Sequence, residues 1–170
     1  MSDTLQKNCT AQMNDTLIHR SFVLEIGNKV VLHLLEKRKV EYARILAERV
    51  ASHDLSKFTK NEFYGMAKFA DDVAALKDPN VTKVASDEKM VYIRKHYEVN
   101  DHHPEFYKDI TEMEEAAMME LAIDWYARSK QYGTDVLECL EIRQANRFHF
   151  PQPFYAMLQK TLQLLIYLDQ

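Results

Sequence analysis

Apolar residues recur along this chain at three- and four-residue steps, and the pattern is helical nearly throughout. From about Thr16 to Lys39, Phe22, Ile26 and Val30 stand four apart, as one helix face requires. Lys37-Arg38-Lys39 falls where that helix should end, and complements its dipole. A second helix is expected from about Val40 to Ala51, with Leu46 and Val50 inward, followed by a turn from Ser52 to Phe58. Thr59-Lys60-Asn61-Glu62 is a capping-box pattern that opens a third helix. It should fade near the loop signal Lys77-Asp78-Pro79-Asn80. Ser86, Asp87 and Glu88 open another helix, running to about Val99, and Asn100 to Phe106 reads as a loop. Thr111 with Glu114 forms a second capping box, opening a long helix to about Tyr132 that Gly133 closes. Two more helices follow, about Thr134 to Asn146 and Pro153 to Leu168, separated by Phe150-Pro151-Gln152-Pro153. The expectation is a single all-α domain of six or seven helices.

Composition narrows the function classes. A length of 170 residues suits one domain with a real core. Only 3 Gly and 4 Pro occur, too few for the tight turns of an all-β chain. Lys and Arg total 22 against 26 Asp and Glu, and a net charge of -4 argues against general nucleic-acid binding. No run of roughly 18 apolar residues is present, so no membrane span is expected. The first ten residues lack the basic start and apolar run of a signal peptide. Two cysteines, Cys9 and Cys139, build neither a disulfide framework nor a zinc-finger set, and a reducing cytoplasm is the simplest setting.

The chemistry lies where the apolar stripes end. On the first helix Phe22, Ile26 and Val30 lead to His33. On the second, Leu46 and Val50 lead to His53, with Asp54 next. Tyr92 leads to His96, and Met113, Ala117 and Leu121 lead to Asp124. A buried carboxylate is costly unless paired or bound to metal, and a cation satisfies imidazole and carboxylate together. Any one of these residues alone is an ordinary hydrogen-bonded core group. The ordered set His33, His53-Asp54, His96, His102-His103 and Asp124 points instead to a metal site between helices, with His19 and His149 outside it as ordinary histidines.

That order resembles the HD-domain superfamily of metal-dependent phosphohydrolases over His33 to about Asp124. The strings HDLSKF (53 to 58) and NDHHPEF (100 to 106) resemble those of small phage and bacterial HD-like proteins. The resemblance implies one HD-like domain over residues 1–170, with the metal-site core at about 16–132 and a C-terminal helical pair at about 134–168. It implies that His33, His53, Asp54 and Asp124 hold a metal, with Asp54 able to bridge two. His96 and one of His102 or His103 match the further ligands of two-metal members. His96 and His102 stand only six residues apart, closer than in many of those members. Lys57 matches a lysine that contacts a substrate phosphate or oxygen in several branches. The glycine-rich signature of the cyclic-di-nucleotide phosphodiesterases is absent.

Mixed His and Asp ligation suits one or two divalent ions of Fe, Mn, Co, Ni or Zn better than Ca or Mg. Such an ion can activate a water for attack on phosphorus. The expected activity is therefore hydrolysis of a small phosphorylated substrate such as a nucleotide. Asp54 and Lys57 are the catalytic candidates, with Glu105 as an orienter or proton carrier. Two other readings share the ligand set: a di-iron oxygenase that cleaves C–C or C–P bonds, and a non-catalytic interaction protein with a structural metal. Aromatic residues of the second half, such as Trp125, Phe148 and Phe154, and the eight methionines are read chiefly as core.

Overall fold

Helical periodicity becomes helix wherever the structure, a computed structural model, describes the chain, which it does for residues 3–68 and 87–170. Among the described residues there are seven α-helices and no strand: α1 (Asp3–Glu36), α2 (Val40–Ser52), α3 (Lys60–Lys68), α4 (Asp87–Val99), α5 (Glu115–Tyr132), α6 (Val136–Arg143) and α7 (Gln152–Leu168). Short 3-10 turns stand at Leu55–Phe58, Pro104–Phe106 and Ile110–Glu112, and a π-turn at Gln144–Phe148. None of the described helices is long and apolar enough to cross a membrane. The loop expected at Lys77 to Asn80 and the helix start at Ser86 lie outside the described residues.

Boundaries differ from the expectation where side chains find other partners. α1 begins at Asp3, well before Thr16, because its first turns are polar and carry little stripe. Their buried contacts are few, chiefly Cys9 and Thr16. Neither capping box closes. Glu62 turns inward to Ser56 and His96, and the Thr59 amide donates to the Ser56 carbonyl instead. Thr111 hydrogen-bonds Asp109, and α5 starts only after Glu114, which gives no side-chain cap. Gly133 does close α5, in the left-handed region at φ 67° that glycine adopts without penalty. Asp135 caps α6 by accepting from the amides of Leu137 (2.7 Å) and Glu138 (3.2 Å).

The chain divides into two compact units, each made of two separated stretches. The first comprises Met1–Ile18 and Asp54–Asn100. Here α3 packs against α4 and the Leu55–Phe58 turn. Gly65 makes that packing possible, since a Cβ there would enter the Tyr92 ring.

The second unit comprises His19–His53 and Asp101–Gln170 and carries the large apolar core. Its axis is α5, in which Ala117 through Trp125 are all buried, the mark of a helix enclosed on every side. α7 covers it with Phe154, Leu158, Leu162 and Leu165 at helical spacing, and α2 with Ala43, Leu46 and Val50. Each such leucine contributes about 1.5–3 kcal/mol on burial. The α1 stripe in this unit is His19, Val23, Ile26, Val30 and Leu34, displaced by one residue from the predicted Phe22 and His33.

Two features give tests of this packing. A Cβ on Gly27 would lie 2.5 and 2.7 Å from the Val50 methyls. Gly27→Ala therefore destabilises by about 1–3 kcal/mol from overpacking, despite the ~1 kcal/mol that alanine gains in helix propensity. Urea denaturation should find the penalties of G27A and V50A markedly sub-additive; a G27A protein as stable as wild type contradicts the close approach.

Asp169 accepts from Lys29 (2.5 Å), Lys130 (2.6 Å) and the Tyr126 hydroxyl (3.0 Å). Burial alone would raise its pKa, but the hydrogen bonds from Lys130, Lys29 and Tyr126 outweigh that and hold it down at about 2. A folded value below the unfolded one, about 3.9, contributes stability that is present above the unfolded pKa. That stability is lost as pH falls towards 2. Asp169→Asn should flatten this part of the acid-denaturation profile, and an unchanged slope between pH ~4 and ~2 would count against the clamp.

Candidate metal centre

In the second unit, α5 supplies two carboxylates one turn apart, Glu120 and Asp124, both buried by the helix that carries them. Neither can remain ionised there without partners. α1 brings His19, the C-cap of α2 brings His53, and the loop after Asn100 brings His102. These three imidazoles are 0–2% exposed.

The atoms converge closely. His19 Nε2 lies 2.9 Å from Asp124 Oδ1 and 3.2 Å from His53 Nε2, and His53 Nε2 lies 3.7 Å from the same Asp124 oxygen. A tetrahedral ion with bonds of 2.0–2.1 Å keeps its donor atoms about 3.3 Å apart. Two imidazole nitrogens and one carboxylate oxygen at these separations therefore fit a transition-metal ion. His53 Nδ1 donates to Glu120 Oε1 at 2.8 Å, which turns its Nε2 towards Asp124 and His19. This is the carboxylate–histidine arrangement that orients metal-binding imidazoles. Burial would raise the Asp124 pKa, but its contacts with His19 and His53 hold it well below the ordinary carboxylate range.

Glu120 anchors more than His53. Its Oε1 lies 3.3 Å from His102 Nδ1, and its Oε2 lies 2.8 Å from Arg49 Nε. The His53, His102 and Glu120 donors also lie near enough together to hold an ion. The His102 ring lies tilted against that of His53 (ring centroids 4.5 Å apart), and His103 against His102 (4.2 Å).

The first unit holds Asp54, Lys57 and His96. Asp54 begins the Leu55–Phe58 turn at φ 56°, a left-handed conformation that Asp tolerates better than most residues. Its Oδ1 lies 3.2 Å from His96 Nε2, and its Oδ2 is ion-paired with Lys57. His96 Nδ1 donates to Glu62 at 2.9 Å. Ser56 donates to Glu62 (3.0 Å) and accepts from the Asn100 amide (3.0 Å). Burial would lower the His96 pKa, but the hydrogen bonds to Asp54 and Glu62 outweigh it and raise the value. His53 and His96 are thus held alike: a glutamate takes Nδ1, and an aspartate faces Nε2.

Two predicted residues stand elsewhere. His33 is half-buried in the last turn of α1, fourteen residues after His19 and so about 21 Å along the axis at 1.5 Å per residue. The stripe continues through Leu34, and it meets the carboxylates at its other end. Glu105 is exposed and ion-paired with Arg147, where solvent and the guanidinium satisfy it. The residues missed were His19, Glu120, Glu62 and Arg49. His19 was readable, because it precedes Val23 and Ile26 by four and seven on the buried stripe. Glu120 was readable as the residue four before Asp124.

One family profile matches residues 8–166, nearly the whole chain. The chain belongs to the DUF5662 family, a family of unknown function. Neither a curated protein nor a solved structure matches it. The geometry of this DUF5662 chain therefore carries the functional argument.

The buried charge at Glu120 has a direct test. Glu120→Gln keeps the shape but places an amide NH2 where donors converge. A loss of about 1–3 kcal/mol is expected in chemical denaturation at neutral pH. Wild-type stability would mean that Glu120 is not the shared acceptor.

Proposed function

We propose that this protein is a metal-dependent phosphohydrolase acting on a small phosphorylated molecule such as a nucleotide. The supporting observation is the meeting of His19 Nε2, His53 Nε2 and Asp124 Oδ1 within 3.7 Å, with His53 oriented from behind by Glu120. Three protein donors, two of them nitrogen, suit one divalent ion of Fe, Mn, Co, Ni or Zn and leave a coordination position open. When bound, such an ion supplies an activated water and neutralises charge on phosphoryl oxygens. The resemblance to HD-domain phosphohydrolases shares His53 and Asp124 with this donor set, though not His33 or Asp54, and phosphate esters are the substrate class it implies.

The chain's own residues supply the rest. Glu120 holds the His53 ring with its Nε2 towards the site, and a ring nitrogen that carries a proton must give it up before it can donate to a cation. Lys57, which the resemblance makes a phosphate contact, stands in the first unit and is ion-paired there with Asp54. The thiols of Cys9 and Cys139 are not joined in a disulfide, which suits a cytoplasmic setting.

Metal content by plasma mass spectrometry, after reconstitution, tests the ligand assignment. His19→Ala, His53→Ala and Asp124→Ala should each lose stoichiometric metal, whereas His33→Ala should keep it. Loaded wild type should release phosphate from a panel of nucleotides and aryl phosphates, and the three ligand variants should not. Oxygen consumption by a two-iron form would move the assignment to the oxygenase reading. Metal-dependent stability without turnover would move it to the structural one. A wild type that takes up no metal would falsify the proposal.

A further inference from the structure

The structure assigns Arg49 a role that the ligand set does not contain: it is the positioning residue that ties the Glu120 anchor to the loop carrying His102. This inference rests on the metal-site reading above, but the geometry behind it stands without a metal. Arg49 sits on the last turn of α2, four residues before His53, and its side chain is about one-fifth exposed. Its Nε meets Glu120 Oε2 at 2.8 Å. The other edge of the guanidinium takes Asp101 in a fork, with Nη2 to Oδ1 at 2.5 Å and Nη1 to Oδ2 at 3.1 Å. Asp101 immediately precedes His102. One planar cation therefore spans a carboxylate on α5 and a carboxylate at the start of the loop.

Three consequences follow from that connection. Arg49 neutralises Glu120 on the side away from the histidines, so Glu120 can be buried while its Oε1 serves both His53 Nδ1 and His102 Nδ1. It places a positive charge 2.8 Å from Oε2, and that ion pair holds Oε2 on the guanidinium side and leaves Oε1 to the histidines. It also sets how far the His102 loop can move from α5, since Asp101 is held at two atoms. Burial alone would make the guanidinium less basic, but Asp101 and Glu120 more than compensate, and it stays charged. Lysine cannot do the same work, because a single ammonium does not reach both carboxylates in fixed geometry.

The test uses the whole protein and Zn2+ alone as probe. Zn2+ affinity is read by competition with a chromophoric chelator for wild type, Arg49→Lys, Arg49→Met and Asp101→Asn. In parallel, long-range proton–nitrogen spectra of the metal-free proteins report which ring nitrogen of each histidine carries the proton. Arg49→Met should weaken Zn2+ binding about 10- to 100-fold, the usual cost of losing an orienting contact behind a ligand, with Arg49→Lys recovering only part. His53 should pass from one Nδ1–H tautomer to a mixture. Asp101→Asn cuts only the half-exposed side of the fork, so it remains informative if Arg49→Met fails to fold. It should weaken binding several-fold and disturb His102 more than His53. Wild-type Zn2+ affinity and unchanged tautomers in the folded variants overturn the assignment while leaving the metal site itself in place. Tautomers released in the variants, in a wild type that binds no Zn2+, sink the metal reading but support the positioning role.

Discussion

A single constraint organises the second unit: α5 is enclosed on all sides and yet carries two carboxylates on successive turns. An apolar helix in that position would need only complementary shape. Glu120 and Asp124 also need compensating donors that are themselves buried, and those donors come from three other places in the sequence. His19 from α1, His53 and Arg49 from the end of α2, and His102 from the loop after Asn100 all converge on α5. The apolar contacts of Leu46, Val50, Leu121 and Leu158 give the unit its cohesion. The polar set decides which alignment of α1, α2 and α5 is acceptable, because a shift by one turn would strand a charge.

The histidines of the two units share a chemical logic. In each, the Nδ1 proton is committed to a glutamate, so the Nε2 atom is chemically defined before anything binds. The aspartate opposite is the group whose negative charge must be met. In the second unit the imidazoles of His19 and His53 meet it. In the first, Lys57 and the raised basicity of His96 do so. The same side-chain types thus sit in two electrostatic settings, one built from imidazoles and the other from an imidazole and an ammonium.

The helices were legible because stripes of Ile, Val and Leu at helical spacing have one cheap solution, and Gly133 marks a chain reversal that few residues can make. Their first turns were less so. Thr59 and Thr111 each stand three residues before a glutamate, but Glu62 found a buried imidazole and Thr111 found Asp109. A tertiary partner outbid a local cap at Glu62, and spacing alone does not contain that information. Of the candidate centre, His53 and Asp124 were legible because each ends an apolar run, and His102 only as one of the pair His102-His103 in the loop; His96 also ends such a run, in the first unit. At α1 the stripe admitted two readings, Phe22 to His33 or His19 to Leu34, differing by one residue in phase. Phe22 is half-buried and Val23 fully buried, and that small difference in packing decides which end of the helix carries its fully buried histidine. Arg49 was beyond reach of pattern, since a charged residue near a helix end reads as solvated until its two partners are seen.

Position 54 illustrates how backbone and chemistry filter the same residue in succession. A φ of 56° excludes β-branched side chains on steric grounds and leaves chiefly Gly, Asn and Asp. Of these three, only aspartate brings a charge for Lys57 and His96. The genetic code places Asn and Gly one nucleotide from Asp, so the commonest tolerated replacements at this site would preserve the turn while deleting its anion. Either change would leave the Lys57 ammonium and the His96 imidazole without their shared carboxylate, so a replacement that the backbone accepts is still penalised by the side chains around it.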